Sequence, residues 1–468
     1  MRIFRRNVSR LNAILFFIES VLLFGILYGG SCLRYLYQNG LEAFWFFDAT
    51  RHSMKALVIV VVCQACMYLN ELYDYKVTRA RREFTIRLLQ SLGVACILLS
   101  VIYSFWPDVG IGLVTFLIAL PTIILSLFLW RHLYPYVLRS EALAERVVIL
   151  GDAPAADKVL DEIKERRDSG FEVIAGVTER QPEEIATENG SSSPELLALA
   201  EFPQRAERVV ADRMVVAIAD RRGTMPFRTL LNCRFKGIRV EEAASFYESL
   251  TGKILLDEVR PSWFIFSEGF RKSTLTLQVK RITDILMAGI LLVASAPIML
   301  LASILIRLDS KGPVIYKQDR VGEGWKDYTL FKFRSMIDNA EAMGIQWAET
   351  EDPRVTRVGK IIRRYRIDEL PQLLNVLKGD MSFVGPRPER RFFVEDLARE
   401  IPYYPYRLFV KPGITGWAQI KYHYGASKNE TMEKLQYDLY YIKQMSFFFD
   451  LSIMFDTIRV VLTGRGAR

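Results

Sequence analysis

Four apolar stretches dominate the first third of this chain. Each approaches the ~20 residues that cross the hydrocarbon of a bilayer. They run from about Leu11 to Gly30, Ser53 to Leu69, Thr85 to Phe105 and Gly110 to Trp130. In lipid every backbone polar group has to be satisfied within its own segment, so such stretches fold as helices. The first is a poor cleaved signal, because it is long, contains Glu19 and is followed by three more. Positive charge sets the orientation. Arg2, Arg5, Arg6 and Arg10 precede the first span, Lys76, Arg79, Arg81 and Arg82 separate the second from the third, and Arg131, Arg139 and Arg146 follow the fourth. The other two connections are poorer in positive charge. Both ends of the bundle, and everything after residue 140, are expected to be cytoplasmic.

Several function classes drop out. Five cysteines (Cys32, Cys63, Cys66, Cys96, Cys233) lack the spacing of a disulfide framework, which excludes a disulfide-bonded secreted protein. His52, His132 and His423 lie too far apart for a His-based zinc centre. Cys63-Gln-Ala-Cys66 lies inside a span and reads as two small apolar side chains. Lys and Arg number 62 against 53 Asp and Glu, a formal charge of +9. That excess suits nucleic acid, anionic lipid or phosphorylated substrates, and composition does not choose among them.

Arg146-Val-Val-Ile-Leu-Gly151 is a short β-branched run ending in glycine, followed by a helical stretch from Ala155 to Arg167. Apolar runs at Phe171–Val177, Arg213–Ala219 and Gly237–Val240 continue an alternation that predicts a parallel α/β sheet. A strand, a glycine and a helix resemble the opening of a dinucleotide-binding fold. The glycine fingerprint is absent, since Asp152, Ala153 and Pro154 follow Gly151. This domain therefore reads as a structural or regulatory module, and the polar segment Glu183–Pro194 as a surface loop.

Apolar character returns from Ile282 to Leu305, flanked by Lys280 and Arg281 on one side and Arg307 and Lys311 on the other. Both ends want the same side of the membrane. Pro297 removes a backbone hydrogen bond and bends a helix, so the stretch over 282–305 reads as a re-entrant helix, with a kinked spanning helix as the alternative.

The last 190 or so residues carry the chemistry. Asp368-Glu369 is preceded by Arg363, Arg364 and Arg366 and followed by Arg387, Arg390 and Arg391. Guanidinium groups match phosphate oxygens bidentately. Paired carboxylates beside bound phosphates suit Mg²⁺, and an Asp can also act as a nucleophile. Alone, such a run is a weak signal that an exposed ion-pair network explains more readily.

The ordered set is more specific. It comprises Gly312-Pro-Val-Ile-Tyr-Lys-Gln-Asp-Arg-Val-Gly322, Phe331-Lys-Phe-Arg-Ser-Met336, the run from Asp368-Glu-Leu-Pro-Gln to Val-Gly-Pro-Arg-Pro388, and Lys411-Pro-Gly-Ile-Thr-Gly-Trp-Ala-Gln419. From about Gln278 onward the chain closely resembles the bacterial sugar transferases, the monotopic phosphoglycosyl transferases that move a sugar 1-phosphate from a nucleotide sugar to a polyprenol phosphate. Ser245–Gly252 and Pro261–Ser267 are similar to the branch associated with exopolysaccharide and exosortase systems.

The resemblance implies an architecture of three parts. A four-span membrane α-helical bundle covers 1–140 and an α/β Rossmann-like domain 141–265. A mostly helical α/β catalytic domain covers 275–468, with its re-entrant helix. It further implies Asp368 as nucleophile and Glu369 as its partner in holding Mg²⁺. Arg363 and Arg387 are implied as phosphate contacts, Lys332 and Arg334 as the wall of the nucleotide-sugar pocket, and Pro297 as the membrane kink. A UDP-sugar donor, undecaprenyl phosphate and membrane lipid are the implied partners, with no nucleic acid, at the bacterial inner membrane. The spans and middle domain leave room for a homodimer. His423 reads as a surface residue or a member of the sugar pocket. Leu451, Met454, Phe455, Ile458 and Leu462, after Phe447-Phe448-Phe449, form a helical face for headgroups or core. A glycosyltransferase that releases a nucleoside diphosphate and a non-catalytic scaffold are the rival classes, and the identity of the sugar stays open.

Overall fold

The computed structural model describes residues 2–3, 6–7, 10–40, 48–70, 72–73, 81–138, 144–151, 153–165, 170–178, 195–198, 211–218, 225–258, 261–337, 352–422 and 428–463. Glu183–Pro194, His423, Lys76, Arg79 and Arg139 lie outside them. The chain forms two compact units that divide between Ala243 and Ala244.

The first unit begins with helices α1 (Arg10–Asn39), α2 (Ala49–Leu69), α3 (Arg81–Phe105) and α4 (Leu113–Leu138). All four are long and apolar enough to cross a membrane. Their shared interior holds Leu23, Leu27, Met67, Leu88 and Leu127, with Cys63 and Cys66 among them as free thiols. Val61, Ile97, Leu117 and Ile118 remain exposed on the outside. Apolar side chains that find no protein partner are what a lipid-facing surface needs. An ion pair is buried in the bundle, with Arg131 Nε 2.6 Å from Glu19 Oε1 and the Tyr73 hydroxyl donating to Glu19.

A five-stranded parallel sheet follows, built from β1 (Glu145–Leu150), β2 (Phe171–Thr178), β3 (Glu195–Ala198), β4 (Arg213–Val216) and β5 (Arg239–Glu242) in the order β3-β2-β1-β4-β5. Helix α5 (Pro154–Glu165) follows β1, and α6 (Phe227–Phe235) precedes β5. Val148, Leu150, Val177 and Val216 fill the core, as expected of central parallel strands. The expected alternation does not include the short strand β3, although its Leu196-Leu197-Ala198 is apolar. Just before α5, the amide of Ala153 donates to Ala217 O at the end of β4 (3.0 Å), so this amide is taken up by the protein itself.

The second unit starts with helices α7 (Ala243–Thr251) and α8 (Pro261–Phe266). Sequence order places these residues with the middle domain, yet Ile254 and Leu256 lie in the core of the C-terminal unit. Next comes α9 (Thr274–Asp309), unbroken over 36 residues with Pro297 inside it. It too is long and apolar enough to cross a membrane. Asp284, Ala288, Ala302 and Ile306 form its buried stripe. Leu291, Leu292 and Met299 pack between them. This three-to-four spacing is one helical face, packed on the domain in two stretches that flank an exposed segment around Pro297. The opposite faces expose Leu286, Ile290, Val293, Leu300 and Leu308.

The remainder is a hairpin of β6 (Ile315–Val321) and β7 (Asp327–Phe333), then α10 (Arg357–Arg364), a 3-10 turn (Ile367–Glu369) and α11 (Gln372–Lys378). After these come β8 (Ser382–Val384), α12 (Arg391–Glu400), β9 (Gly413–Thr415), α13 (Trp417–Lys421), α14 (Lys428–Gln444) and α15 (Phe447–Thr463). The apolar face of α15 divides: Ile453 and Met454 are buried, while Leu451, Ile458, Phe447 and Phe448 are exposed.

Strands β8 and β9 run parallel, and their continuations touch: Gly385 N donates to Thr415 O and Gly413 N to Pro386 O, both at 2.9 Å. A side chain on Gly385 would overlap the Lys411 carbonyl oxygen. Gly385→Ala is therefore expected to destabilise the second unit by about 1–3 kcal/mol, since two backbones have to part. Thermal melting in detergent measures it, and an unchanged midpoint would show that the strands yield freely.

Candidate active site

The site is built on a chain reversal. Helix α10 ends at Arg364, Arg366 takes the left-handed conformation (φ 54°), and the 3-10 turn places Asp368 and Glu369 side by side. Ile367 and Leu370 anchor the turn in the apolar cluster with Ile306 and Phe333. Both carboxylates are 8% exposed, so each depends on partners inside the protein.

Those partners are cations from three segments. Arg387 Nη2 lies 3.1 Å from Glu369 Oε1, Lys332 Nζ 3.4 Å from the same oxygen, and Arg366 Nη1 3.6 Å from Oε2. Burial opposes ionisation of Glu369, but Arg387, Lys332 and Arg366 outweigh it and hold the carboxyl well below its usual range. Asp368 moves the other way. Burial first, then the charge on Glu369, pushes it up to about 6, against the pull of Lys332, Arg363 and Arg387. The pair thus combines a firmly ionised Glu with an Asp whose charge is less well matched.

Surrounding bonds fix this geometry. Asn375 is fully buried; its Oδ1 accepts from Phe331 N (3.0 Å) and its Nδ2 donates to Thr329 O (2.7 Å), joining α11 to β7 beside Lys332. Arg407 donates to the carbonyl of Arg387 (2.9 Å) and pairs with buried Asp438 (2.9 Å). Arg320 donates to Pro388 O (3.1 Å). Arg387 Nη1 also reaches Gln419 Oε1 (2.9 Å). The Arg387 side chain is still 44% exposed, which leaves guanidinium surface for a phosphate.

The sequence-derived residues divide accordingly. Asp368, Glu369, Arg387 and Lys332 come together, and Arg363 stands half-buried where its charge reaches Asp368. Arg334 does not join them. Its Nη2 donates to Ser310 O and Oγ (2.7 and 2.8 Å) at the end of α9. Strand β7 stops at Phe333, so the alternation that aims Lys332 at Glu369 does not carry to Arg334. Arg391 points away, to Asp327 Oδ2 (2.9 Å). Gln419 and Asn375 lay within quoted motifs with no assigned role; a buried or bridging amide has no signature in a sequence.

Comparison with known proteins comes to the same place. Residues 275–464 match the family model described as bacterial sugar transferase. The chain is 47% identical over 241 residues to a UDP-N-acetylgalactosamine-undecaprenyl-phosphate N-acetylgalactosaminephosphotransferase of Aeromonas hydrophila, covering 52% of this chain and 56% of that protein. It is 30% identical over 431 residues to a UDP-glucose:undecaprenyl-phosphate glucose-1-phosphate transferase of Klebsiella pneumoniae, covering 88% and 89%. A protein of the same name from Escherichia coli (strain K12) is 29% identical over 87% of this chain and 88% of its own length. The carboxylate pair with its cations and the extent of these matches make the chain a member of the bacterial sugar transferase family.

Proposed function

We propose that this protein transfers a sugar 1-phosphate from a UDP-sugar to undecaprenyl phosphate, releasing UMP, as the initiating membrane step of an exopolysaccharide or other surface glycan. The observation that carries this reading is the buried Asp368–Glu369 pair enclosed by Arg387, Lys332, Arg366 and Arg363. The printed names of the relatives supply donor and acceptor.

Two anionic substrates have to meet, and cations lower the barrier to that meeting. Arg387 and Arg363 bind pyrophosphate oxygens, while Lys332 and Arg366 keep Glu369 ionised and in place. An Asp368 carboxylate oxygen attacks the β-phosphorus, the bond to the bridging oxygen breaks, and the electron pair leaves with UMP. A phosphate oxygen of the lipid then attacks the same phosphorus and displaces Asp368, which regains its carboxylate. One pyrophosphate linkage is broken and one is made.

The donor set fits Mg²⁺. Among the described residues no third His, Cys, Asp or Glu joins the pair, and one or two carboxylates with substrate phosphates and water is an ordinary Mg²⁺ environment. Asp368 and Glu369 would hold the ion, which when bound supplies further charge neutralisation on the pyrophosphate.

The raised Asp368 has a kinetic consequence. A protonated carboxyl is no nucleophile, so kcat/KM is expected to fall about tenfold per pH unit below the Asp368 pKa of about 6. It should level off above that value, with bound Mg²⁺ moving the limb lower. A pH–rate profile checks this, and an acid limb above pH 7 would contradict it.

Placement at the membrane follows from α9. Arg281 donates to Val376 O and Leu377 O (2.6 and 2.8 Å) near one end, and Asp309 accepts from Val358 N (3.1 Å) at the other. Both ends are thus bonded to the same polar domain. This supports a helix that enters one leaflet and returns at Pro297, with four spans preceding it. The sheet reads as a Rossmann-like module, and both domains belong on the cytoplasmic face of the bacterial inner membrane.

The test uses full-length protein in nanodiscs with Mg²⁺, undecaprenyl phosphate and a panel of UDP-sugars. Lipid-dependent UMP release supports the assignment and names the donor. UDP release would make the protein a glycosyltransferase, and absence of product from every donor would favour a scaffold.

A further inference from the structure

Helix α7 leaves the last strand of the sheet at Glu242 and is built into the second unit. It lies outside the 275–464 segment that matches the family model. Its attachments are polar and buried. Glu248, 6% exposed, accepts from Lys443 Nζ (2.7 Å) and Gln444 Nε2 (3.1 Å). Beyond the helix, Lys253 pairs with Glu433 (3.1 Å) and Ile254 N donates to Gln436 O (3.2 Å).

The next contact bears on the active site. Trp417, 3% exposed, donates from Nε1 to Gly252 O at 2.7 Å. Gly252 has φ +73°, and a Cβ there would meet Trp417 Cζ2 at 3.0 Å. Trp417 opens the five-residue helix α13 that also carries Gln419. Two positions on a helix are about 200° apart, so the indole and the amide point in opposite directions. The indole is packed on Phe449 (5.2 Å between centroids) and held by Gly252, and the amide accepts from Arg387. Arg387 in turn reaches Glu369.

We propose that Trp417 is a positioning residue for Arg387, acting through Gln419, and that the 243–254 segment sets its place. The segment joining the middle domain to the catalytic unit then tunes turnover without touching substrate. Gly252 is required because the turn is left-handed and the indole lies against it. This inference rests on the proposed sugar-1-phosphate transfer for its kinetic readout but not for its structural one.

The experiment is a double-mutant cycle in the full-length protein, with Trp417→Phe, Gln419→Ala and the pair, assayed by UMP release at saturating donor. Gly252→Ala is added as a second approach from the far side. Trp417→Phe keeps an aromatic ring in the core but removes the donor to Gly252 O together with the part of the indole that lies against Gly252. It is expected to lower kcat about tenfold in the wild-type background and less than twofold in the Gln419→Ala background. Losses that multiply in the double variant would overturn the route through Gln419. An unchanged kcat with a lowered melting temperature would make Trp417 a core residue only. Hydrogen exchange supplies a readout independent of turnover. The Gly385 amide, bonded to Thr415 O, and the amides of 417–421 should exchange faster in Trp417→Phe and Gly252→Ala. Unaltered exchange overturns the proposal. A wild-type protein that releases no UMP would sink the functional reading, and exchange would still decide the positioning role.

Discussion

Asp368→Asn is expected to abolish UMP release, by roughly 10⁴-fold or more, while leaving the protein at least as stable as the wild type. The amide has nearly the shape of the carboxylate but no nucleophilic oxygen. Stability should hold because the wild-type charge is poorly matched: burial and the neighbouring Glu369 push Asp368 up to about 6, so a neutral group removes an unfavourable term at pH 7. Glu369→Gln should behave differently. Arg387, Lys332 and Arg366 would then face one another with no carboxylate between them, and both activity and melting temperature should fall. Assay of UMP release beside thermal melting separates the two. An Asp368→Asn protein that still turns over would remove Asp368 as the nucleophile.

Lys280→Met is expected to cost about 3–5 kcal/mol of stability, because it strands a buried carboxylate. Lys280 Nζ lies 2.7 Å from Asp450 Oδ2 and also donates to Val384 O (3.0 Å), and the Tyr441 hydroxyl donates to Asp450 Oδ1 (2.8 Å). Burial already raises the Asp450 carboxyl, and Lys280 is first among the groups that offset it. Among the described residues, removing the lysine leaves the Tyr441 hydroxyl to bond the carboxylate. Lys280→Met combined with Asp450→Leu should recover much of the loss, since replacing a whole buried pair is far less damaging than breaking it. Chemical denaturation of the variants measures the cycle. A single variant as stable as the wild type would show that water reaches Asp450.

These residues mark the limit of what the sequence disclosed. Asp368, Glu369 and Arg387 could be read because they lie in one run of twenty-one residues whose order is itself the signal. The apolar helices could be read because length and hydropathy suffice. Lys280 and Asp450 are 170 positions apart, and no periodicity links them. Arg334 shares a motif with Lys332 and still bonds to Ser310, because a strand's alternation ends with the strand. The 244–258 segment follows the sheet in sequence but belongs to the other core, as the packing of Ile254 and Leu256 there shows.

Helix α9 also governs how this enzyme could be handled as a reagent. One face of it forms part of the catalytic core, through Asp284, which accepts from Ser382 Oγ and Phe383 N (3.0 and 2.9 Å), and through Ala288 and Ile306. Cutting the helix away would empty that core, so truncation cannot yield a water-soluble version. Repainting its outer face with polar side chains at Leu286, Ile290, Val293, Leu300 and Leu308 is the route that keeps the domain intact.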